Sequence, residues 1–290
     1  MSQVVKPGPV DSFFLRHEFA IRRLHSLSGL IPVGAYMVVH LVVNATILIG
    51  ASQYQRNVNN IHDLGIVLPV VEWLFILLPI IFHAVVGLWI SRTGRPNSQV
   101  YGYGANVRYT WQRRTGTIAL LFIAAHVFHL HGWFHFDWWM KHVAEPLGMA
   151  QFRPYNAAST LAQAMQNWIW FAVYIVGLLA TTFHFANGIW TAGITWGVWV
   201  SPEGQRRATK GCAVFGVTLL LIGLAGLFAA RSTDIAEAKV DEDKIYFDRI
   251  ASGEMEPDPH KRTGNLRNDA VPSQASMVPP GESQPAAAGE

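Results

Sequence analysis

Charged residues are scarce in this sequence, and their scarcity excludes an ordinary soluble domain. Only 14% of the 290 residues are Asp, Glu, Lys or Arg, whereas these residues make up roughly 25% of a typical soluble domain. None of them occurs between Arg153 and Glu203. Helices that cross the hydrocarbon core of a membrane require uncharged stretches of this kind.

Cysteine is nearly absent too, since Cys212 is the only one in the chain. A single thiol excludes an intrachain disulfide, a Cys-x-x-Cys-His haem attachment and a cysteine-bound iron–sulfur cluster. The sequence also lacks a Gly-rich nucleotide loop and a soluble domain that could hold a flavin. Its first 26 residues lack the continuous apolar stretch of a cleavable signal peptide.

Apolar residues, by contrast, make up 51% of the chain and form five long runs. Each run is close to the roughly 20 residues that a helix needs to cross a hydrocarbon core about 30 Å thick. Glu72 is the only acidic or basic residue inside them. The sequence therefore predicts an all-α membrane bundle of five transmembrane helices. These helices are expected at about 27–50, 66–91, 115–134, 167–196 and 211–230.

The distribution of Lys and Arg predicts the orientation of this bundle. Twelve of these residues lie in the segments 1–26, 92–114 and 201–210, and three lie in the loops 51–65 and 135–166. Because Lys and Arg accumulate in short cytoplasmic flanks, we expect the N-terminus inside and the C-terminus outside. The membrane topology accounts for these basic residues, so they do not indicate a nucleic-acid partner.

The composition divides the chain into three parts. Residues 1–26 are expected to form a cytoplasmic N-terminal segment and residues 27–230 the membrane domain. Residues 231–290 are richer in charge and end in VPSQASMVPPGESQPAAAGE, a composition that cannot bury a core. We therefore expect residues 231–290 to form a polar, mostly disordered tail.

Four histidines lie well inside the first four predicted helices, where ionisable residues are costly and usually functional. At 1.5 Å per residue, His40 and His126 lie in the outer half of the membrane, whereas His83 and His184 lie nearer the inside. Two imidazoles at matching depth on neighbouring helices can fill both axial positions of a haem iron. The depths therefore predict two haems, and with no open coordination site their task is electron transfer.

The residues around these histidines suggest how a haem would fit. Gly87 and Gly188 each follow a histidine by four residues, so they lie on the same helix face. Each glycine either leaves room for a porphyrin or permits close helix contact. Basic residues at the inner ends of the first and third helices either bind the haem propionates or only enforce the topology. The basic residues are Arg22, Arg23, His25, Arg113 and Arg114.

Two alternatives remain open at this point. His129 follows one turn after His126 and competes with it for the outer ligand position; His126 matches the depth of His40 better. The intramembrane histidines could also belong to a haem-free transporter or a proton relay. That reading favours acids or broken helices beside the histidines, and only Glu72 fits this description.

Four segments resemble the cytochrome b membrane-anchor subunit of succinate:quinone oxidoreductases, of the type with one polypeptide, five helices and two haems. The resemblance covers roughly residues 12–230 and keeps the order of the helices. The four segments are RRLHSLSGLIPVGAYMVVHLVVN (22–44), LPIIFHAVVG (78–87), QRRTGTIALLFIAAHV (112–127) and TTFHFANGIWTAGITWG (181–197).

This resemblance implies that His40 and His126 bind a distal haem b, and that His83 and His184 bind a proximal haem b. It also implies a bacterial cytoplasmic membrane, with a flavoprotein subunit and an iron–sulfur subunit on the cytoplasmic face. Electrons would pass between succinate and a quinone, for which menaquinone is expected. Succinate chemistry would lie on the partner subunits, as in a succinate dehydrogenase or fumarate reductase, and the heterotrimer could form a homo-oligomer.

Glu72 lies eleven residues before His83, near the expected depth of the outer haem. Its carboxylate could exchange protons with a quinone, or it could simply reach water at the helix mouth. The anchor of a hydrogenase or a formate dehydrogenase would share the two haems but not the partner subunits. The aromatic loop 135–166 and the tail 231–290 depart from the family pattern and could alter the quinone entrance.

Overall fold

A computed structural model describes residues 9–94 and 103–263, and the secondary structure within these ranges is entirely helical. Short 3₁₀ turns occur at Thr46–Leu48, Pro154–Asn156 and Pro259–Lys261, and π-helical segments at Glu72–Leu77 and Met140–Ala144. The α-helices of the described ranges are α1 (Pro9–Leu30), α2 (Pro32–Ala45), α3 (Ala51–His62), α4 (Val67–Val71), α5 (Leu78–Thr93), α6 (Gly104–His131), α7 (Asp137–Trp139), α8 (Ala157–Ala164), α9 (Trp168–Thr195), α10 (Pro202–Ser232) and α11 (Ile235–Ala251).

Four helical stretches in the described ranges are long and apolar enough to cross a membrane. The first, Arg16–Leu48, joins α1 and α2, and the second, Val67–Thr93, joins α4, a π-helical segment and α5. The other two are Trp168–Thr195 and Pro202–Ser232. The prediction of an all-α membrane bundle is therefore confirmed. Helix α1 already begins at Pro9, within the segment 1–26 that we expect to be cytoplasmic.

The third predicted span corresponds to α6, which is 28 residues long but is not among these four stretches. Its first half carries three arginines and its second half three histidines, and these residues lower its mean hydropathy. The helix packs extensively against α9 and also contacts α5. It therefore lies in the bundle beside the apolar spans. The six polar residues are Arg108, Arg113, Arg114, His126, His129 and His131.

The bundle has two chemically different ends. At one end, which we call the basic end, arginines join neighbouring helices. Arg108 bonds to Asn187 of α9 and Thr209 of α10, and Arg113 donates to carbonyls at the end of α5. At the other end, which we call the capped end, α3, α8 and α11 pack on one another.

Helix α11 corrects the prediction of a mostly disordered tail over residues 231–290. Ala238, Glu242 and Tyr246 recur every four residues on one face and are each no more than 2% exposed. This face packs against α3 and α8, as an amphipathic helix does. Averaging the composition over the whole tail concealed this periodicity, and residues 264–290 lie outside the described ranges.

Candidate functional site

The structure brings the four intramembrane histidines together in two pairs. The rings of His83 and His184 have centroids 6.1 Å apart and planes inclined by 84°. The rings of His40 and His126 have centroids 5.8 Å apart and planes inclined by 83°. These are the partners that were expected from their depths. The pair His83–His184 lies toward the basic end, and the pair His40–His126 toward the capped end.

The two separations fit a shared metal ion. Two imidazoles that bind one ion from opposite sides, at roughly 2 Å from each nitrogen, have ring centres about 6 Å apart. The described structure contains no hydrogen bond to the Nε2 atom of any of the four rings, whereas every Nδ1 atom has a hydrogen-bond partner. The histidines therefore meet the usual condition for a ligand, in which one nitrogen is held and the other is free to coordinate.

Backbone carbonyls fix the tautomer of the pair at the basic end. His83 Nδ1 lies 3.0 Å from the carbonyl oxygen of His25, and His184 Nδ1 lies 3.0 Å from that of Gln112. A carbonyl can only accept, so both Nδ1 atoms carry the proton and donate it. Each neutral ring then has its lone pair on Nε2, which is the atom that can coordinate iron.

Two glycines on the neighbouring helices make this arrangement possible. A Cβ atom at Gly29 of α1 would lie 2.3 Å from Cε1 of His83, and a Cβ atom at Gly116 of α6 would lie 2.8 Å from Cε1 of His184. Both distances are too short for any side chain. Gly29 lies four residues after His25 and Gly116 four after Gln112, so each glycine stands one turn beyond the carbonyl that receives the histidine.

These two glycines were not identified from the sequence, although the sequence contains a signal for them. The intervals His25 to Gly29 and Gln112 to Gly116 both place a glycine four residues after the accepting residue. The predicted glycines have other neighbours. A Cβ atom at Gly87 would lie 3.2 Å from Cε1 of His25, and one at Gly188 would lie 3.6 Å from Nε2 of Gln112.

Tyrosine hydroxyls replace the carbonyls at the pair near the capped end. His40 Nδ1 lies 3.5 Å from the hydroxyl of Tyr36, a long hydrogen bond, and His126 Nδ1 lies 3.1 Å from that of Tyr174. His129, the competing ligand, contacts the same Tyr174 hydroxyl at 3.1 Å. Its ring is fully buried and contacts the rings of Trp170 and Tyr174, whereas the ring that contacts His40 is that of His126.

The predicted propionate ligands differ in how far they are already engaged. Arg23 Nε, His25 Nδ1 and Arg113 Nε are buried and make no hydrogen bond in the described structure, and such donors fit an anionic group. Arg22 is paired with Glu18 at 2.7 Å. Arg114 is exposed and lies over the ring of Trp111. The ring of His25 also stacks on that of His83, with centroids 4.0 Å apart.

Glu72 is half-buried at the first position of the π-helical segment. Such segments occur often at functional sites. It lies close enough to Tyr36 and to His135 for electrostatic interaction. His135 belongs to the exposed aromatic stretch that follows α6, and its ring contacts that of His131 at 4.2 Å. The structure thus brings Glu72 within electrostatic range of the tyrosine that contacts His40.

Comparison with known proteins adds an independent line of support. No family model matches the chain. A curated relative from Bacillus subtilis (strain 168), the succinate dehydrogenase cytochrome b558 subunit, is 36% identical to it over 212 residues. The matching region covers 73% of this chain and 96% of the relative.

Proposed function

Since the chain belongs to the succinate dehydrogenase cytochrome b558 subunit family, we propose that it is the dihaem cytochrome b membrane anchor of a succinate:quinone oxidoreductase. Its task is to pass electrons between an iron–sulfur subunit and a membrane quinone, for which we propose menaquinone. One observation carries the proposal. Two histidine pairs lie at different depths, each with Nδ1 held and Nε2 free.

Each pair would hold one haem b, which supplies reversible one-electron chemistry at its iron. His83 and His184 would bind the proximal haem, and His40 and His126 the distal haem. The protein fixes the ring orientations in advance, through the carbonyls of the basic end and the hydroxyls of the capped end. Ligands that are fixed in this way need little rearrangement when the charge on the iron changes.

Unpartnered donors at the basic end would bind the propionates of the proximal haem. Arg23, His25 and Arg113 each have a buried nitrogen without a hydrogen bond in the described structure. Arginine suits carboxylates because its guanidinium donates in a fixed planar geometry. Arg22 and Arg114 remain candidates at the rim, where a partner subunit or a lipid could compete for them. Gly87 and Gly188 would limit the bulk beside the two proximal ligands.

The proposed partners follow from the orientation of the bundle. The basic end would face the cytoplasm of a bacterium and contact the flavoprotein and iron–sulfur subunits, which carry the succinate chemistry. The N-terminus would then lie inside and the C-terminus outside. The capped end would lie on the outer surface, where Glu72 would exchange protons with the quinone. Several such heterotrimers could assemble into a homo-oligomer.

The test is a dithionite-reduced minus oxidised spectrum of the purified membrane complex, with the haem quantified per chain. We expect two b-type haems in the wild type and one in His184→Ala, because that substitution removes one of the two histidines that would hold the haem at one site only. His142→Ala is a suitable control, since His142 is exposed and, among the described residues, its side chain contacts the backbone carbonyl and the ring of Trp138. A folded, haem-supplied preparation without haem would falsify the proposal, and copurification identifies the partner dehydrogenase.

A further inference from the structure

The hydroxyl of Tyr174 contacts two histidines at once. It lies 3.1 Å from Nδ1 of His126 and 3.1 Å from Nδ1 of His129. Tyr174 is 6% exposed and His129 is 0% exposed, so water does not compete for these contacts. A phenol has one proton, and it can therefore donate to only one of the two nitrogens while it accepts from the other.

Metal binding by His126 would determine whether its Nδ1 or that of His129 donates to the Tyr174 hydroxyl. If Nε2 of His126 coordinates a metal, the neutral ring carries its proton on Nδ1 and donates it to the oxygen of Tyr174. The Tyr174 proton is then directed to Nδ1 of His129, which accepts it. His126, Tyr174 and His129 thus form one hydrogen-bonded chain with a single consistent direction.

His129 is fixed at the far end of this chain. Its ring stacks on that of Trp170, with centroids 3.9 Å apart and planes inclined by 8°. Rotating His129 toward His40 would break both this stacking contact and the bond to Tyr174. The remaining nitrogen, Nε2, is buried and makes no hydrogen bond in the described structure. The contacts that hold the His129 ring are therefore the stacking on Trp170 and the bond of Nδ1 to Tyr174.

In the described structure, the pair His83–His184 has no counterpart of this hydrogen-bonded chain. His83 and His184 donate directly to backbone carbonyls, which cannot rotate or exchange a proton. The contact of His40 with Tyr36 is long, at 3.5 Å. Within the distal pair, the orientation of His126 therefore depends mainly on the Tyr174 hydroxyl, and the orientation of that hydroxyl depends on His129.

We propose that Tyr174 and His129 are positioning residues for the distal ligand His126, and that His129 is not itself a ligand. The inference rests on the proposed dihaem function. Tyr174 orients the imidazole by accepting a hydrogen bond from its Nδ1–H group, and His129 accepts the hydroxyl proton of Tyr174 in a second hydrogen bond, so that the lone pairs of the Tyr174 oxygen face His126. Such outer contacts of a metal ligand commonly contribute about 10–100-fold to its affinity.

The first variant to make is Tyr174→Phe, which keeps the ring and removes the hydroxyl. In the purified complex we expect two haems, with a shifted electron paramagnetic resonance signal for one of them and an unchanged signal for the other. The haem with the shifted signal should pass to an acceptor protein such as apomyoglobin roughly 10–100-fold faster than in the wild type. Tyr155→Phe is the control, because the Tyr155 hydroxyl makes no hydrogen bond to a described residue.

Two substitutions of His129 separate positioning from packing. His129→Phe keeps a ring that can stack on Trp170 but removes the acceptor, and we expect it to shift the same signal as Tyr174→Phe. His129→Asn loses the stacking contact but places a carbonyl oxygen close to the position of Nδ1, and we expect it to restore the wild-type signal. A role in packing alone predicts the opposite order of the two variants.

The outcomes are distinct. Loss of one haem in His129→Phe, with both haems kept in His126→Ala, would show that His129 is the ligand and overturn the inference. Unchanged signals and transfer rates in Tyr174→Phe would also overturn it, while two haems in the wild type would leave the proposed function standing. A wild type without haem would contradict both the proposed function and the inference.

Discussion

Two glycines decide where the rings of His83 and His184 can lie. Gly29 and Gly116 each leave a gap on the surface of a helix, and a histidine from the neighbouring helix fills that gap. The short distances involve the far end of a side chain, so an added methyl group would displace the ring rather than unfold the helix. The displaced ring would lose both its carbonyl acceptor and its alignment with the partner histidine.

We therefore expect Gly29→Ala to release the proximal haem while the protein remains folded. The added Cβ would approach His83 Cε1 to 2.3 Å, closer than the 2.8 Å between Gly116 and His184. The loss should thus be larger in Gly29→Ala than in Gly116→Ala, with a reduction in haem affinity of roughly tenfold or more. Haem content and the amplitude of the proximal haem signal measure the effect.

Gly211→Ala is the matched control, because a Cβ atom there meets nothing within 4 Å. It lies inside α10, where alanine favours the helix by about 1 kcal/mol, so the haem content should stay at two per chain. If Gly29→Ala and Gly211→Ala bind haem equally well, the gap at Gly29 has no part in placing His83.

The sequence reveals some of these residues better than others. Histidine is conspicuous inside an apolar run, and helical rise converts its position into depth, so the partners His40–His126 and His83–His184 could be predicted from the chain alone. Their role as haem ligands stays a prediction. Tyr174 could not be identified in the same way, because a tyrosine in an apolar helix has no distinctive spacing and its contact with His126 depends on how α6 packs on α9.

At the capped end, α11 places a buried carboxylate against α8. Glu242 is 0% exposed and lies at the N-terminus of α8. It accepts hydrogen bonds from the N–H groups of Ala158 and Ser159 and from the Ser159 hydroxyl. Gln55 of α3 accepts the N–H of Ala157 at 2.9 Å. Free N–H groups at a helix start require such acceptors, so side chains of α11 and α3 cap the N-terminus of α8.

Glu242→Ala should therefore loosen the capped end. The substitution leaves buried donors of α8 without a partner, which costs about 1–3 kcal/mol. Hydrogen exchange of the α8 amides, measured by mass spectrometry, should become correspondingly faster. Asp248→Ala on the exposed side of α11 should leave the exchange within error of the wild type. Equal exchange in the two variants would show that α8 does not depend on Glu242.

Because Glu242 is ionisable, its contribution to stability depends on pH. Burial raises the pKa of Glu242, against the opposing effect of the hydrogen bonds from Ser159 and Ala158. The folded state therefore binds this proton more tightly than the unfolded state. The resulting stabilisation is fully present below the unfolded pKa of about 4 and is lost as the pH rises through the higher folded value.

Glu242→Gln should remove this dependence, because glutamine keeps the shape of the side chain without the titrating proton. We expect the amides of α8 to open more readily in the wild type as the pH rises from about 4 to about 8. In Glu242→Gln, opening should stay nearly constant once the exchange rates are corrected for the intrinsic effect of pH. The same pH profile in both proteins would rule out Glu242 as the titrating group.

The third predicted span and the C-terminal tail show why elements are harder to predict than the class of the fold. The histidines and arginines of α6, among them the proposed ligand His126, lower its mean hydropathy and so conceal the apolar character of the rest of the helix. In the tail, the periodicity of three buried positions of α11 is hard to see because most of the remaining residues are polar. The all-α membrane class could still be predicted, because it depends on all the apolar runs together and not on α6 or the tail alone.

The two ends of the bundle have different tasks in the proposed function. Electrons would enter at the basic end, where the soluble subunits bind, and reach a quinone at the capped end. Reduction of a quinone to a quinol consumes two protons, so a proton donor is needed where the electrons leave. Glu72 begins the π-helical segment at that end and lies within electrostatic range of Tyr36 and His135.

Glu72→Gln should consequently slow quinone reduction without affecting the haems. Amide replaces carboxylate with little change of shape, so we expect both haems to remain and succinate to reduce them at the wild-type rate. Turnover with a soluble menaquinone analogue should fall on the order of 100-fold, the usual contribution of a placed proton donor. Glu145→Gln is the control, because Glu145 is exposed and makes only a 3.9 Å contact with Arg153. Wild-type turnover in Glu72→Gln would mean that the proton reaches the quinone by another route, and Glu72 would then be a glutamate that meets water at a helix mouth.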